Sequence, residues 1–206
     1  MELRYAIEQR QSIRTFTSEP VAISDIKEIV RRAGLAPSLD NSQLWNFIAV
    51  TNQPLLKRMA RKVADTIQEL PAQEKKDIDP SVLSRVEWFS TFFSDAPAVI
   101  ALTMKHYEGI LEKESGLDPE LLASLRMYPE IQSAGAAIQN ILLTAVELGY
   151  GACWLSAPFI AGKELERLLQ LDQDWKLVAM VAIGKPFNHP TRKHKKTLDE
   201  IFHLIL

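Results

Sequence analysis

The sequence predicts a mixed fold, with helices packed around a small set of buried strands. Short runs rich in β-branched and aromatic residues, at Trp45–Val50, Ala96–Thr103 and Trp175–Ile183, have the length of strands. Between them, apolar residues recur at helical spacing, most clearly from Leu55 to Leu70 and from Ser133 to Tyr150. The chain has 206 residues, 47% of them hydrophobic, enough to bury a sizeable core in one domain spanning 1–206.

The formal net charge of -2 argues against a generally basic nucleic-acid surface. Cys153 is the single cysteine, which excludes an internal disulfide and a cysteine zinc site and fits a reducing, cytoplasmic setting. The first residues, MELRYAIEQRQS, carry charge and lack the apolar run of a signal peptide. The longest apolar runs are too short to span a bilayer, so no membrane partner is expected.

Glu2–Gln9 reads as a short amphipathic helix with Leu3, Ile7 and Tyr5 on its apolar side. In the extended stretch that follows, alternation puts Arg10, Ser12 and Arg14 on one face and Ile13 on the other. Two guanidiniums beside a hydroxyl form either a clamp for a phosphate or carboxylate, or a solvated basic loop. Ser24 is the expected N-cap of a helix running to Ala36, with Asp25 and Glu28 in a capping-box-like opening. Pro37 stops that helix. The turn residues Pro37, Ser38, Asp40, Asn41 and Ser42 then lead into the strand from Trp45, expected to be buried. Asn41 and Gln43 place two amides at the loop–strand junction, where they serve either a ligand or the local backbone.

The Leu55–Leu70 helix turns a basic face (Lys57, Arg58, Arg61, Lys62) to solvent and is expected to end at Pro71. Val82–Phe93 reads as a helix whose aromatic group, Trp88, Phe89, Phe92 and Phe93, belongs to the core or to a pocket. Asp118 before Pro119 marks a further helix start. The segment at about 70–131 forms an excursion that either covers a site or packs on the surface. Ser133–Tyr150 is apolar nearly all round, with Glu147 its only charge, so it is buried on every side. Its partner is either a second subunit or the core of a monomer. Glu164–Leu171 reads as a short helix. After the last strand, the basic run Arg192–Lys196 is expected to be held in place before a terminal helix to Leu206.

No glycine-rich phosphate loop, metal-ligand spacing of histidines, nucleophile motif or tight carboxylate pair is present. No catalytic side chain and no metal are therefore assigned. Anion clamps, amides and aromatic walls suit an enzyme whose reactive chemistry belongs to a bound cofactor.

Four motifs in order support this reading. RQSIRTF is similar to RRSxRxF, and APSLDNSQLWNFIAV to APSxxNxQPWxFxVV. NILLTAVELGYGACWLSAP is similar to NLLLAAxxLGLGSCWIGG, and VAIGKPFNHPTRKHKKTLDEIF to LALGYPxxxPxxKxRxPLEEV. Together, from Ile7 to about Phe202, they resemble the nitroreductase family of FMN-dependent oxidoreductases. The resemblance implies an α+β fold, with a central, mainly antiparallel sheet among helices and an intertwined homodimer. The dimer would form through the Ser133–Tyr150 helix and the C-terminal segment. It implies FMN binding by Arg10, Ser12 and Arg14; by Pro37, Ser38 and Asn41, with Gln43 close by; by Trp154, Leu155, Ser156 and Ala157; and by Lys193 and Lys195. It implies hydride transfer from NADH or NADPH through flavin N5 to a small planar acceptor such as a nitroaromatic or quinone. Arg14 would tune the reduced flavin. Reductive dehalogenation, ring dehydrogenation, flavin breakdown, non-catalytic FMN storage and a redox-silent anion-binding module are the alternatives. The chain departs from the pattern at Leu44, Ala157, Lys185 and Lys195.

Overall fold

The computed structural model describes residues 2–74, 78–109, 113, 114 and 116–205. Among them are four strands: β1 (Trp45–Val50), β2 (Ala98–Met104), β3 (Gly151–Leu155) and β4 (Lys176–Gly184). The seven described α-helices are α1 (Leu3–Gln9), α2 (Ile23–Ala33), α3 (Gln53–Glu74), α4 (Pro80–Thr91), α5 (Pro119–Leu125), α6 (Pro129–Glu147) and α7 (Gly162–Leu168). The sheet order is β1-β2-β4-β3 and every pairing is antiparallel, as expected for an α+β chain.

Strand alternation divides the core into two layers. Ile100, Leu102, Val181 and Ile183 face α2 and α6, packing on Ile29, Ile138 and Ile141. Val99, Ala101, Met180 and Ala182 face α3 and α7, packing on Leu56, Met59, Val63 and Leu165. A register shift between Leu102 and Thr103 leaves Val178 without a β2 partner. That bulge lets Leu177 join the second layer although Ala179 belongs to the first.

Several elements differ from expectation. The N-cap of α2 is Ala22, not Ser24. The buried Tyr150 hydroxyl accepts from Ala22 N–H (3.5 Å) and donates to Asp25 (2.7 Å), so a tertiary contact serves that end. The helix also stops at Ala33 instead of Ala36. Pro71 lies inside α3, three residues before its end, within the last turn. β1 is an edge strand, half-exposed along most of its length, rather than a buried one. On α1 only Ala6 is buried, while Leu3, Tyr5 and Ile7 are exposed. The expected terminal helix is a single 3-10 turn, Leu198–Glu200, closed by a Thr197–Glu200 capping box. Ile201, Phe202, Leu204 and Ile205 beyond it are exposed, and so short a helix gains little without a surface to pack on.

Other expectations hold. Asp118 caps α5 through Glu120 N–H at 3.1 Å, with Pro119 in the first turn. β2 is buried at every position. α6 carries eight buried residues, but Gln139 is exposed and Ala136, Leu143 and Val146 are only half-buried, so, contrary to expectation, it is not buried on every side within one chain. α2 and α6 are joined by the Arg32–Glu147 ion pair and by Asn140 donating to the Arg32 carbonyl at 3.1 Å. No helix among the described residues is long and apolar enough to cross a membrane.

Candidate functional site

The segment Arg10–Phe16 extends the sheet past β3. Ser12 forms a parallel bridge with Ala152, and Ile13 N–H donates to the Ala152 carbonyl at 3.0 Å. Ile13 is buried, so the predicted alternation holds and Arg10, Ser12 and Arg14 share the other face. Arg10 is the C-cap of α1. The Arg14 guanidinium lies 5.7 Å from the Phe89 ring centroid. Among the described residues, neither arginine forms an ion pair with a carboxylate.

Behind this face sits Cys153, 2% exposed. Burial pushes its thiol pKa up, against the pull of Arg14, a hydrogen bond with Ser12 and the pull of Arg10. A buried thiol held protonated is a packing group, as its lack of a catalytic partner in the sequence indicates.

The chain after β4 returns to the same segment. Thr17 N–H donates to the Lys185 carbonyl (2.9 Å), Phe187 N–H to the Thr15 carbonyl (3.0 Å), and Thr15 Oγ1 to Asn188 (2.7 Å). Arg192 donates to Gln9, and Gln11 bridges the Pro190 carbonyl and Arg192. The basic run is thus led to the arginine segment. Only its first residue is tethered: Lys193 and Lys195 are exposed and form no ion pair among the described residues. Gln9, Gln11 and Phe89 were not predicted as site residues. Alternation puts Gln11 on the face away from Arg10, Gln9 ends α1, and Phe89 lies on a distant helix.

Trp154, on β3, is 49% exposed, and the tip of its ring comes within 4.0 Å of where a Cβ on Gly135 of α6 would stand. Leu155 differs from its neighbours: its side chain is buried in the α3-facing core, so only its backbone can face a ligand. Ser156 and Ala157 are exposed at the start of a 3-10 turn. The aromatic group of α4 divides in two. Phe92 and Phe93 are core, while Trp88 and Phe89 are exposed and pack edge-to-face with centroids 4.8 Å apart.

The 36–44 loop lies elsewhere. Ser38 Oγ accepts from Gln43 N–H at 3.0 Å, Gln43 Nε2 donates to Asn41 Oδ1 at 3.2 Å, and Leu39 N–H donates to Ser133 Oγ at 3.3 Å. Pro37, Asn41 and Gln43 are exposed. The loop feeds β1, at one edge of the sheet, whereas Ser12 lies beyond β3 at the other. Four strand spacings separate them, about 19 Å. One chain therefore brings Arg10, Ser12 and Arg14 onto one face, with Arg192 tethered to the glutamines of the same segment, but it does not bring in Pro37, Ser38, Asn41 and Gln43.

The sequence pattern of the Nitroreductase family matches residues 7–185. Iodotyrosine deiodinase from Hydra vulgaris is 30% identical over 204 residues, covering 93% of this chain and 68% of that protein. Iodotyrosine deiodinase 1 from Rattus norvegicus is 26% identical over 200 residues, covering 95% and 66%. Among solved structures, a BluB-like flavoprotein from Clostridium difficile 630 superposes with a TM-score of 0.87 at 32% identity, covering both chains fully. A nitroreductase with bound FMN from Bacteroides fragilis NCTC 9343 shares the fold, with a TM-score of 0.74 at 18% identity and full coverage of both chains.

Proposed function

The chain belongs to the nitroreductase family, and from that membership we propose that it is an FMN-dependent oxidoreductase. The observation that carries this reading is the face of Arg10, Ser12 and Arg14, held against β3 with two guanidiniums that no described carboxylate neutralises. Cations fixed at the edge of a fold fit a phosphate and an electron-rich ring edge. When bound, FMN would supply the redox chemistry, hydride transfer at N5 between NADH or NADPH and a small planar acceptor.

The residues of this chain bind and orient. Arg10, with Lys193 and Lys195, would hold the phosphate, and Arg14 would serve the ring edge, where its charge would favour the negatively charged reduced form. The Phe89 ring, 5.7 Å from the Arg14 guanidinium, offers it a cation–π contact. Trp154 and the backbone of Leu155, Ser156 and Ala157 run along the flavin. Pro37, Ser38, Asn41 and Gln43 come from a second copy of the chain, because a span of about 19 Å across the sheet separates them from Ser12. Leu3, Tyr5 and Ile7, with the exposed tail from Ile201 to Ile205, provide the apolar surface for that homodimer. The whole of 1–206 acts as one cytoplasmic flavin domain, with the 70–131 excursion as its cover.

A second reading, reductive removal of halide from an aromatic substrate, is favoured by the similarity to the Hydra deiodinase. One anaerobic experiment tests both. Purified protein is loaded with FMN, reduced with NADH or NADPH, and mixed separately with a quinone, a nitroaromatic and iodotyrosine. Bleaching by nicotinamide and reoxidation by the quinone or nitroaromatic are expected. Reoxidation by iodotyrosine with release of iodide supports the second reading. Protein that stays colourless with FMN present overturns both.

A further inference from the structure

Three non-glycine residues of the loop before β1 sit in the left-handed region: Asp40 (φ 50), Asn41 (φ 53) and Gln43 (φ 48). Asp and Asn visit this region at modest cost; Gln does so less readily. Such a run persists only where its surroundings over-determine it. The loop's internal bonds, Gln43 to Asn41 and Gln43 to Ser38, move with it and cannot fix it to the rest of the fold. Two bonds do. Ser133 Oγ accepts from Leu39 N–H at the loop's entrance, and the Tyr107 hydroxyl donates to Asp40 Oδ2 at its apex.

Tyr107 lies in the segment leaving β2, within the excursion that the sequence singles out as a cover. Tyr107 is 9% exposed, so its ring is held by packing as well as by the hydrogen bond. The Arg126 guanidinium lies 5.7 Å from its ring centroid. Two residues earlier, Lys105 N–H donates to the Leu44 carbonyl at 2.9 Å, closing the loop's exit onto the same segment. A rigid, buried donor therefore meets an exposed carboxylate in the centre of the strained turn.

We propose that Tyr107 is a positioning residue for the cofactor loop: by holding Asp40 it fixes the left-handed turn that aims the Asn41 and Gln43 amides. The inference rests on the FMN reading for its functional consequence, but its structural half stands by itself. It makes the cover segment and the amide loop one unit, so that order in one supports order in the other.

The test uses the full-length chain and two readouts, FMN affinity by fluorescence quenching and amide hydrogen exchange of residues 38–43. Tyr107→Phe keeps the ring and deletes the donor, and Asp40→Ala deletes the acceptor. Each is expected to raise the FMN Kd roughly tenfold, as loss of a hydrogen bond to a charged group allows, and to speed exchange in the loop. The double variant is expected to be no worse than either single one. Asp40→Asn, which keeps an acceptor oxygen and tolerates the left-handed region, is expected to stay near wild type. Tyr128→Phe removes a phenol bond to Glu120 nearby without touching the loop, and is expected to change neither readout. An unchanged Kd and unchanged exchange in Tyr107→Phe, or fully additive losses in the double variant, overturns the inference. If wild type binds no FMN, the cofactor reading fails and the exchange measurement alone judges the role of Tyr107.

Discussion

Gly151→Ala is expected to damage both stability and cofactor binding, because the arginine segment has no room to yield. A Cβ at Gly151 would lie 2.6 Å from Ile13 Cγ1, 2.8 Å from its Cβ and 2.9 Å from Cγ2. Carbon atoms pack best at about 3.5–4.0 Å, so the two elements must separate by about 1 Å. A rotamer change cannot relieve the clash, since the Ile13 Cβ itself is too close. The backbone of Ile13 must move, against its 3.0 Å bond to Ala152. Overpacking of this kind costs about 1–3 kcal/mol. For a domain of this size the urea midpoint is expected to fall by roughly 1 M with an unchanged slope. Arg10 and Arg14 flank Ile13 and shift with it, so the FMN Kd is expected to rise about tenfold, equivalent to about 1.4 kcal/mol. Urea unfolding and flavin fluorescence titration measure the two effects. Gly162→Ala, where a Cβ meets nothing within 4 Å, is the control and is expected to be neutral or slightly stabilising. A Gly151→Ala protein with wild-type midpoint and wild-type Kd would refute the tight seating of this segment on β3.

Three further outcomes are expected. Arg14→Ala lowers the two-electron potential of bound FMN in spectroelectrochemical titration; a cation contributing ~1.4 kcal/mol to the reduced form corresponds to ~30 mV. The Glu28 carboxyl has its pKa lowered from 4.5 to about 2, chiefly by hydrogen bonds from Arg31 and then Arg32. Its contribution to stability is therefore complete above pH 4.5 and lost as pH falls toward 2, so Glu28→Gln flattens acid unfolding curves across that window. Ile141→Ala, at a fully buried α6 position, is expected to cost about 2–5 kcal/mol in denaturant titration.

What the sequence revealed depended on whether the cause was local. Alternation alone put Arg10, Ser12 and Arg14 opposite Ile13, because an extended chain offers no other arrangement. Asp118 before Pro119 marked a helix start for the same local reason. The Ser24 cap failed because Tyr150, 126 residues later in the chain, supplies the hydroxyl that meets Ala22 and Asp25. Leu155 looked like its site neighbours, but the β3 alternation directs its side chain into the α3-facing core. Phe89 beside Arg14 and Tyr107 beneath Asp40 are contacts between elements far apart in sequence, and no periodicity contains them. The separation of Asn41 from Arg10 required the strand order, which local pattern does not fix.

The two sides of the sheet are finished differently. The Arg10–Phe16 segment seals β3, whereas among the described residues β1 pairs only with β2. Trp45–Val50 has no charge and no proline in its six residues, so it carries none of the usual guards against unwanted strand pairing. Among the described residues, the free edge of β1 therefore leaves a row of backbone donors and acceptors open to a further strand, and it is the part of this sheet most prone to unwanted pairing.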